Sequence, residues 1–204
     1  MKLINWKDDF LKRVVIIGAG ASGMLAAKVA SDRGYKVTVL EKQKRCGQKL
    51  LITGKGRCNI TNNCEIEELI ENVPTNGKFL YSAFYTFTND QVIDMFNDLG
   101  VETKTERGKR VFPVSDKAVD VVRALEKQMR SNKNVEVLLN SKVDKIEAQD
   151  GKVKKVILSD KREIECDSVI VATGGVSYPR TGSSGDGYKF ARNLGHTIIK
   201  PKAS

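Results

Sequence analysis

The sequence predicts an α/β fold built around a parallel β-sheet. Three apolar runs indicate the strands: 13–17 (RVVII), 36–41 (KVTVLE) and 168–172 (SVIVA). Runs of this kind, rich in β-branched residues, are typical of strands that are buried on both faces. The stretch between the first two runs, 22–33, is rich in Ala, Met and Leu and predicts a helix. Strand, helix and strand together form a βαβ unit, whose two strands lie parallel.

The middle of the chain predicts further helices and a hairpin. A short helix is expected over 65–71, and Thr88-Asn89-Asp90-Gln91 has the spacing of a capping box that opens a helix ending before Gly100. A hairpin is expected over 101–112. The helix that follows, to about residue 130, carries apolar residues at helical spacing: Val119, Val122, Leu125 and Met129.

The last third of the chain predicts an antiparallel meander. Three or four short strands are expected over 135–166, with a turn at Asp150-Gly151 between two segments of alternating pattern. We expect this meander to lie against the parallel sheet. A glycine-rich loop, 182–187, then leads into a helix that ends near Leu194.

Composition limits the class of protein. The formal net charge is +10, from 35 Lys and Arg against 25 Asp and Glu, and 40% of the residues are hydrophobic. The basic residues are scattered along the sequence, so we expect no basic nucleic-acid-binding arm. The four cysteines show no C-x-x-C spacing and there is one histidine, so neither a metal site nor a disulfide framework is predicted and a reduced cytoplasmic chain is expected. Glycines interrupt the apolar stretch 14–30, which therefore predicts a strand and a helix rather than a signal peptide.

The segment from Gly18 to Gly23 (GAGASG) matches the dinucleotide-binding pattern G-x-G-x-x-G in its full context. It follows a predicted buried strand and opens a helix, and the next strand ends in the acidic Glu41, 23 residues after Gly18. Gly18 permits the tight turn, Gly20 lets a diphosphate approach the backbone, and Gly23 allows close helix–strand packing. The helix N-terminus stabilises the diphosphate. Glu41 accepts the ribose hydroxyls, which disfavours NADP at this site.

The glycine pattern alone does not distinguish FAD from NAD, but the segment after the second strand does. NAD dehydrogenases normally continue with another short βα unit, whereas this chain continues with a glycine-rich polar loop over 47–63. Loops of this length are usually functional or disordered, and the apolar centre, 50–52, argues against disorder. We expect the loop to run along an extended dinucleotide toward a flavin, with Arg57 facing anionic oxygens or the ring. Cys58 is either a small buried side chain or a neighbour of the cofactor.

Several segments together resemble one family. The residues GAGASGMLAA, then EK, then GQKLLITGKGRCNITN, then ATGGVSYPRTGSSGDGYKFARNLGHTI are similar to the BaiN/YhiN-like family of NAD(P)/FAD-dependent oxidoreductases. The resemblance runs from about Arg13 to the end of the chain. It implies a glutathione-reductase-like, FAD-binding variant of the Rossmann fold, with a parallel sheet, helices and an antiparallel β-meander, which a second domain interrupts.

The resemblance also implies which residues hold FAD. The diphosphate would be held by Gly18, Gly20, Ala21, Ser22 and Gly23. The adenosine would be held by Glu41 and Lys42 at the ribose and by the backbone of Val143 at the adenine edge. The path toward the flavin would be lined by Lys49, Leu50, Thr53, Gly56, Arg57, Cys58 and Asn59. The cofactor would also pass close to Thr173, Gly174 and Gly175.

This chain departs from the family's pattern in two ways. Gln48 and Lys55 stand where the family often has a basic residue and a glycine. Members of the family are also considerably longer. The resemblance therefore implies an N-terminal extension over 1–12, an incomplete FAD-binding domain over 13–200, and the start of a linker to an absent second domain over 201–204.

The expected function is that of the FAD-binding part of a flavin-dependent oxidoreductase, with NAD(P)H as a transient reductant. We expect a small-molecule substrate and no association with a membrane or with nucleic acid. Two alternatives stay open: an FAD-dependent tRNA-modifying protein, whose basic surface would meet RNA, and a non-catalytic fragment. No catalytic acid or base is assigned. His196 is expected to be structural, and Tyr178 is a candidate for the edge of the active site.

Overall fold

The computed structural model describes residues 12–201. Within them the chain forms ten β-strands and six α-helices: β1 (Arg13–Ile17), α1 (Ala21–Asp32), β2 (Lys36–Leu40), β3 (Thr61–Asn62), α2 (Ile66–Glu71), α3 (Tyr81–Thr86), α4 (Asn89–Asp98), β4 (Thr103–Glu106), β5 (Arg110–Pro113), α5 (Ala118–Arg130), β6 (Val135–Leu138), β7 (Val143–Gln149), β8 (Lys152–Leu158), β9 (Glu163–Glu165), β10 (Ser168–Val171) and α6 (Asp186–Asn193). Residues 1–11 of the predicted extension and 202–204 of the predicted linker lie outside the described residues.

The chain divides into two compact units. The first unit comprises the described residues up to Lys49 together with Leu125–Ile199. The second unit comprises Leu50–Ala124, together with the described residues Lys200 and Pro201. Each unit has its own β-sheets, which are described separately below.

The first unit contains a four-stranded parallel sheet in the order β10-β1-β2-β6. The central strand β1 pairs with β2, where Arg13 is opposite Lys36, and with β10, where Val14 is opposite Ser168. The strand order reverses at β1, because the chain goes to β2 and β6 on one side and returns to β10 on the other. In open α/β sheets, ligands bind outside the carboxyl ends of the strands at such a reversal. The predicted βαβ unit and the third predicted parallel strand are confirmed.

One strand of the predicted meander belongs elsewhere. Residues 135–166 were assigned to the meander, but β6 pairs parallel with β2, with Val135 opposite Val37. The chain between β2 and β6 is long enough for a crossover, which a parallel pair requires. The antiparallel meander itself consists of β7, β8 and β9. Its predicted tight turn is present, with positive φ at Asp150 (53°) and Gly151 (72°), as a two-residue hairpin of right-handed twist demands.

One hydrophobic core of the first unit lies between the parallel sheet and the meander. Alternate residues of the sheet, such as Val15 and Ile17, face alternate residues of the meander. Phe190 of α6 closes the same cluster, so the helix after the glycine-rich loop is fixed to the sheet. Burial of an aliphatic or aromatic side chain contributes about 1.5–3 kcal/mol. The complete buried cluster is Val15, Ile17, Leu40, Val143, Ile146, Val156, Leu158, Cys166 and Phe190.

The second unit contains a three-stranded antiparallel sheet in the order β3-β5-β4. Strands β4 and β5 form the predicted hairpin, which turns at Arg107–Lys109. The predicted capping box is also present: Thr88 Oγ1 accepts from Gln91 N, and Gln91 Oε1 accepts from Thr88 N. The short helix expected over 65–71 is confirmed as α2.

The buried face of α5 differs from the predicted one by one position. Val119 was expected on the apolar face, but it is 37% exposed. Five buried side chains occupy a helical stripe at i, i+3, i+4, i+7 and i+11: Ala118, Val121, Val122, Leu125 and Met129. Ala124 is buried beside them. No helix within residues 12–201 combines the length and apolar character that a membrane span requires.

The capping box leads to the first prediction. Thr88→Ala removes the hydroxyl that accepts from Gln91 N, and we expect the free energy of unfolding to fall by about 0.5–2 kcal/mol. Urea denaturation followed by circular dichroism measures this change. Thr88→Ser keeps the hydroxyl and serves as the matched control, with an unchanged midpoint expected. Equal losses in both variants would contradict a capping role.

Candidate cofactor-binding site

The turn between β1 and α1 requires two of its glycines for the fold itself. Gly18 has φ +105°, and a Cβ atom there would lie 2.5 Å from the carbonyl oxygen of Ala172. A Cβ atom on Gly23 would lie 1.9 Å from the carbonyl oxygen of Gly18. Both approaches are shorter than any side chain tolerates. Gly18 and Gly23 therefore let β1, α1 and the end of β10 pack closely together.

Gly20 is different, because nothing in the fold requires a glycine there. Its φ of −78° and ψ of −172° are extended values that any residue adopts. A Cβ atom on Gly20 would meet no described atom within 4 Å. The missing side chain therefore leaves open space in front of the first turn of α1.

The N-terminus of α1 is suited to an anion. Within residues 12–201, no side chain caps it and its first turn contains no acidic residue. Ala21 and Ser22 form this first turn and are both exposed. Unpaired N–H groups at a helix N-terminus, together with the positive end of the helix dipole, stabilise negative charge.

The carboxylate of Glu41 is held beside this turn. It is 9% exposed, and its two oxygens accept hydrogen bonds from Ala19 N (2.8 Å) and from Gln43 N (2.9 Å). A carboxylate has about four acceptor positions, so each oxygen can still receive a ligand hydroxyl. Ser141 N donates to the Glu41 carbonyl, which brings the start of the meander, with Val143 in β7, to the same place.

The segment after β10 approaches the same edge of the sheet. Thr173 lies next to Gly18, with its Cα 3.2 Å from the Cβ position of that glycine. Gly174 has φ +73°, and a Cβ there would lie 2.9 Å from Ser183 Oγ. A cleft of about 670 Å³ has several of the predicted cofactor residues in its wall: Ser22, Thr173, Gly174 and Gly175. The exposed His196 also lines this cleft.

Lys42, which was predicted at the ribose, makes contacts with the glycine-rich loop. Its ammonium donates to Ser184 Oγ (2.6 Å) and to Asp186 Oδ2 (2.7 Å). Burial of Asp186 opposes its ionisation, but the Lys42 ammonium, together with Ser184 and Lys142, outweighs burial, so the pKa of Asp186 lies below its usual value. Lys42 thus fixes the start of α6 near the end of β2.

Lys49 orders the chain that follows Gly175. Its ammonium donates to Ser177 Oγ (2.8 Å) and lies 5.5 Å from the centroid of the Tyr178 ring. Tyr178 has a left-handed backbone, φ +57°, and is 64% exposed. A cation over an aromatic face is attracted by the ring. Lys49 therefore holds an exposed tyrosine in one place.

In the second unit, the loop predicted to have no regular structure contains a 3₁₀ segment, Leu50–Gly56, which is kinked at Thr53–Lys55. Lys55 has φ +59°, so it occupies a left-handed conformation that favours glycine. Cys58 is also left-handed, at φ +64°, and is 1% exposed. Its N–H donates to the carbonyl of Thr53 (3.0 Å). Cys58 is a buried side chain that packs inside its own loop.

Arg57 is bound to carboxylates of the second unit. Its two Nη atoms donate to the two oxygens of Glu106 at 2.8 and 3.1 Å, and Nη1 also donates to Asp116 at 3.0 Å. The guanidinium carbon lies 4.0 Å from the centroid of the Phe112 ring. The pKa of Glu106 is lowered chiefly by Arg57, and that of Asp116 by Lys104 and then by Arg57. These contacts fasten the loop to the β4–β5 hairpin.

The predicted residues therefore form two groups, one in each unit. At the carboxyl edge of the parallel sheet the first unit gathers Gly18, Gly20, Ala21, Ser22, Gly23, Glu41, Lys42, Val143, Thr173, Gly174 and Gly175, with Lys49 in the same unit. The 3₁₀ segment and the residues after it bring together Leu50, Thr53, Gly56, Arg57, Cys58 and Asn59. The Asn59 amide, in the orientation that satisfies its partners, donates to the carbonyls of Val111 and Thr61.

Sequence reasoning missed the partners of these residues. Glu106 and Asp116 lie 49 and 59 residues from Arg57 along the chain. Ser184 and Asp186 lie 142 and 144 residues from Lys42. No local pattern marks a carboxylate as the partner of one particular cation at such separations. The glycine-rich character of 182–187 was the one available signal.

With this geometry, comparison with known proteins gives the family. Residues 12–203 match the HI0933-like protein Rossmann domain. The chain belongs to this family. It is 35% identical over 190 residues to the 3-dehydro-bile acid delta(4,6)-reductase of Clostridium scindens. This alignment covers 92% of this chain and 45% of the relative. It is 32% identical over 197 residues to the ribosomal RNA dihydrouridine synthase of Haemophilus influenzae, covering 93% and 47% respectively.

A solved structure gives the same fold. The open conformation of a flavocytochrome c3 fumarate reductase superposes on the HI0933-like chain with a TM-score of 0.70 and 21% identity, over 92% of this chain and 41% of the other. The predicted fold class, an α/β variant of the Rossmann fold with a parallel sheet, helices and an antiparallel meander, is confirmed. The chain spans about half the length of the curated relatives it matches.

The Arg57 contacts lead to a pH-dependent prediction. Because the folded pKa of Glu106 lies below its usual value of about 4.5, the ion pair stabilises the fold above that pH and loses its effect as the pH falls through the lowered pKa. We expect Arg57→Gln to lower the urea midpoint at neutral pH, with the difference from wild type shrinking in acid. Arg110→Gln is the matched control, since Arg110 faces the same Phe112 ring but donates to a backbone carbonyl. The same pH dependence in both variants would refute the role of the carboxylates.

The four cysteines lead to a labelling prediction. Burial raises the pKa of Cys46 to about 12 and that of Cys166 to about 11, and burial also raises the pKa of Cys58. Since the thiolate is the reactive form, these thiols react slowly near neutral pH. Burial also raises the pKa of Cys64, but its side chain is the more accessible one. We therefore expect iodoacetamide to modify the half-buried Cys64 first, and the other three only after unfolding, as measured by peptide mass spectrometry. Rapid labelling of native Cys58 would mean that its loop opens.

Proposed function

We propose that this chain is the FAD-binding part of a flavin-dependent reductase that adds hydrogen to an unsaturated ring. The names of the two curated relatives support the reaction class, because a delta(4,6)-reductase and a dihydrouridine synthase both carry out such an addition. The family and the fold support the cofactor. NAD(P)H is the proposed reductant.

Gly20 is the observation that carries the proposal. Gly18 and Gly23 are explained by packing within the chain, but Gly20 has an ordinary backbone and open space at its Cβ position. The space lies before an uncapped helix N-terminus and near a buried, oriented carboxylate at Glu41. A diphosphate in front of the helix with a ribose beside the carboxylate fits all three features.

The residues of the first unit would hold the adenosine diphosphate half of FAD. The amides of Gly20, Ala21, Ser22 and Gly23 would bind the diphosphate. Glu41 would accept the ribose hydroxyls, and the backbone near Val143 would meet the adenine. Lys42 would act through the loop it fixes, 182–187, which packs beside Thr173 and Gly174.

The residues of the second unit would line the path toward the flavin by their backbone. Arg57 has its guanidinium bonded to Glu106 and Asp116, so its proposed part is to keep the loop in shape. The loop's contributions to the cofactor would come from Lys49 before it and from Leu50, Thr53, Gly56, Cys58 and Asn59.

FAD held by these residues would supply the capacity for hydride transfer between a reductant and an acceptor. The protein's residues would bind and orient the cofactor and the substrate, and they would exclude water from the site. Tyr178, held by Lys49 and exposed, is the proposed side chain at the substrate edge. A general acid is not assigned.

The substrate has two candidates of different class. A small molecule with an unsaturated ring, such as the name of the bile acid reductase describes, is the first. Uridine in ribosomal RNA, as named for the second relative, is the other. That name specifies ribosomal RNA, so it favours ribosomal RNA over the tRNA alternative that the sequence left open.

Replacement of Gly20 tests the proposal. Gly20→Val should keep the fold, with a small loss of stability at the N-cap of α1, because its Cβ meets no described neighbour. It should lose FAD, because the side chain fills the space before the helix. Visible flavin absorbance of the purified chain, titrated with FAD, measures retention, and thermal denaturation without FAD measures the fold. We expect at least a tenfold loss of affinity, or about 1.4 kcal/mol.

Two Glu→Gln variants extend this experiment, one at the site and one as a matched control. Glu41→Gln leaves one of the two backbone amides without an acceptor and should also weaken FAD binding. Glu136→Gln, an exposed strand position in the same unit, should not. A wild-type chain that binds no FAD and gains no thermal stability from it would refute the proposal and support a non-catalytic fragment.

A further inference from the structure

Basic residues that are far apart in the sequence come together at the amino edge of the parallel sheet. We call this surface the basic edge. All its members are exposed, and none has an ion-pair partner within residues 12–201. They are Lys12, Arg33, Lys36, Lys133, Lys152 and Lys154.

Backbone contacts bring four of these residues together. Lys36 N donates to the Lys12 carbonyl at 3.1 Å, so these two lie on neighbouring strands. Val37 N donates to the Asn134 carbonyl at 2.8 Å, which places Lys133 on the other side of Lys36. Arg33 is the C-cap of α1, three residues before Lys36.

A groove joins the other two residues to Lys12. It has a volume of about 910 Å³ and is lined in part by Lys12, Lys152 and Lys154. The groove contains two carboxylates, Glu165 and Asp167, and both bind Arg13. Glu165 accepts from its guanidinium at 2.8 Å, and Asp167 accepts from its backbone N–H at 2.7 Å.

The remaining nearby carboxylates do not neutralise the basic edge. Asp32, next to Arg33, is paired with Lys28. Asp150 lies in the turn before β8 and makes no ion pair within the described residues. The net charge of the basic edge is therefore positive.

The partner that fits this surface is a polyanion with regularly spaced charges. Three neighbouring strands, β1, β2 and β6, lie about 4.8 Å apart, so Lys12, Lys36 and Lys133 form a row of roughly 10 Å. The groove extends this row to Lys152 and Lys154, so the surface can face more than one phosphate of a nucleic-acid backbone. The groove contains none of the large exposed apolar side chains that insertion into a membrane surface would need. The basic edge thus favours a nucleic acid over a lipid surface.

We propose that the basic edge binds the phosphate backbone of RNA. The proposal rests on the RNA candidate of the proposed function, for which ribosomal RNA is the named substrate of a relative. The candidate cofactor site lies at the carboxyl ends of the same strands. The basic edge would therefore hold RNA that flanks the reacting base and would not contact that base.

The test is RNA binding by a triple variant of the full 204-residue chain. Lys36→Gln, Lys133→Gln and Lys152→Gln are combined, and fluorescence anisotropy with a labelled ribosomal RNA hairpin is measured over a range of salt concentrations. Each lost phosphate contact lowers the slope of log K against log salt by roughly 0.7–0.9. We expect the slope to fall by about 2 to 3 and the affinity to fall about tenfold at moderate salt.

The matched control removes the same charge from the second unit. Lys78→Gln, Lys117→Gln and Arg123→Gln replace three exposed cations there, and we expect less than about a twofold change in affinity. Equal losses in both triple variants would mean that net charge alone drives binding and would overturn the proposal. Binding to vesicles of anionic lipid without binding to RNA would overturn it as well.

A flavin measurement separates this proposal from the previous one. The basic edge is away from the turn after β1, so the triple variant should retain FAD as wild type does. Lost RNA binding with normal flavin absorbance supports the basic edge. A chain that binds FAD but no RNA overturns the basic edge and leaves the proposed function intact.

Discussion

The close approach of backbone at Gly18 and Gly23 is the constraint on which the rest of the first unit depends. The Cβ position of Gly23 lies 1.9 Å from the Gly18 carbonyl oxygen, and that of Gly18 lies 2.5 Å from the carbonyl oxygen of Ala172. Any side chain at either position would push α1 off β1 or β10 off the turn. The approach puts the N-terminus of α1, the end of β10 and the carboxylate of Glu41 at one edge of the sheet. The same backbone approach therefore determines both the packing of α1 on the sheet and the position of the candidate cofactor site.

The sequence predicts those elements of the fold that depend on residues close together in the chain. The β-branched run at β1, the capping box at Thr88 and the turn at Asp150-Gly151 each depend on neighbouring residues, and each is confirmed. The partner of β6 was predicted wrongly, because a short alternating strand has the same pattern in a parallel and an antiparallel pair. The roles proposed for the site residues stay predictions, although the βαβ rule explains why those around the Gly18–Gly23 turn and Glu41 lie at the sheet edge.

Arg57 shows why long-range partners escape sequence reasoning. A cation in a glycine-rich loop is typical of an anion ligand, and the loop's composition supported that interpretation. The structure instead offers two carboxylates and an aromatic face in the hairpin of the same unit. A guanidinium in bidentate contact with a carboxylate has already made its strongest hydrogen bonds. Such a residue shapes a loop more readily than it binds a passing anion.

The net charge of +10 therefore has two components with different consequences. Arg13, Lys42 and Arg57 have carboxylate partners, so their charge serves the fold. The cations of the basic edge are exposed and lack such partners within the described residues, so their field extends into solvent. Charges that look scattered along the sequence become adjacent because the amino ends of parallel strands meet at one edge. The net charge alone does not distinguish the paired cations from those of the basic edge. The positions of the strand ends in the fold distinguish them.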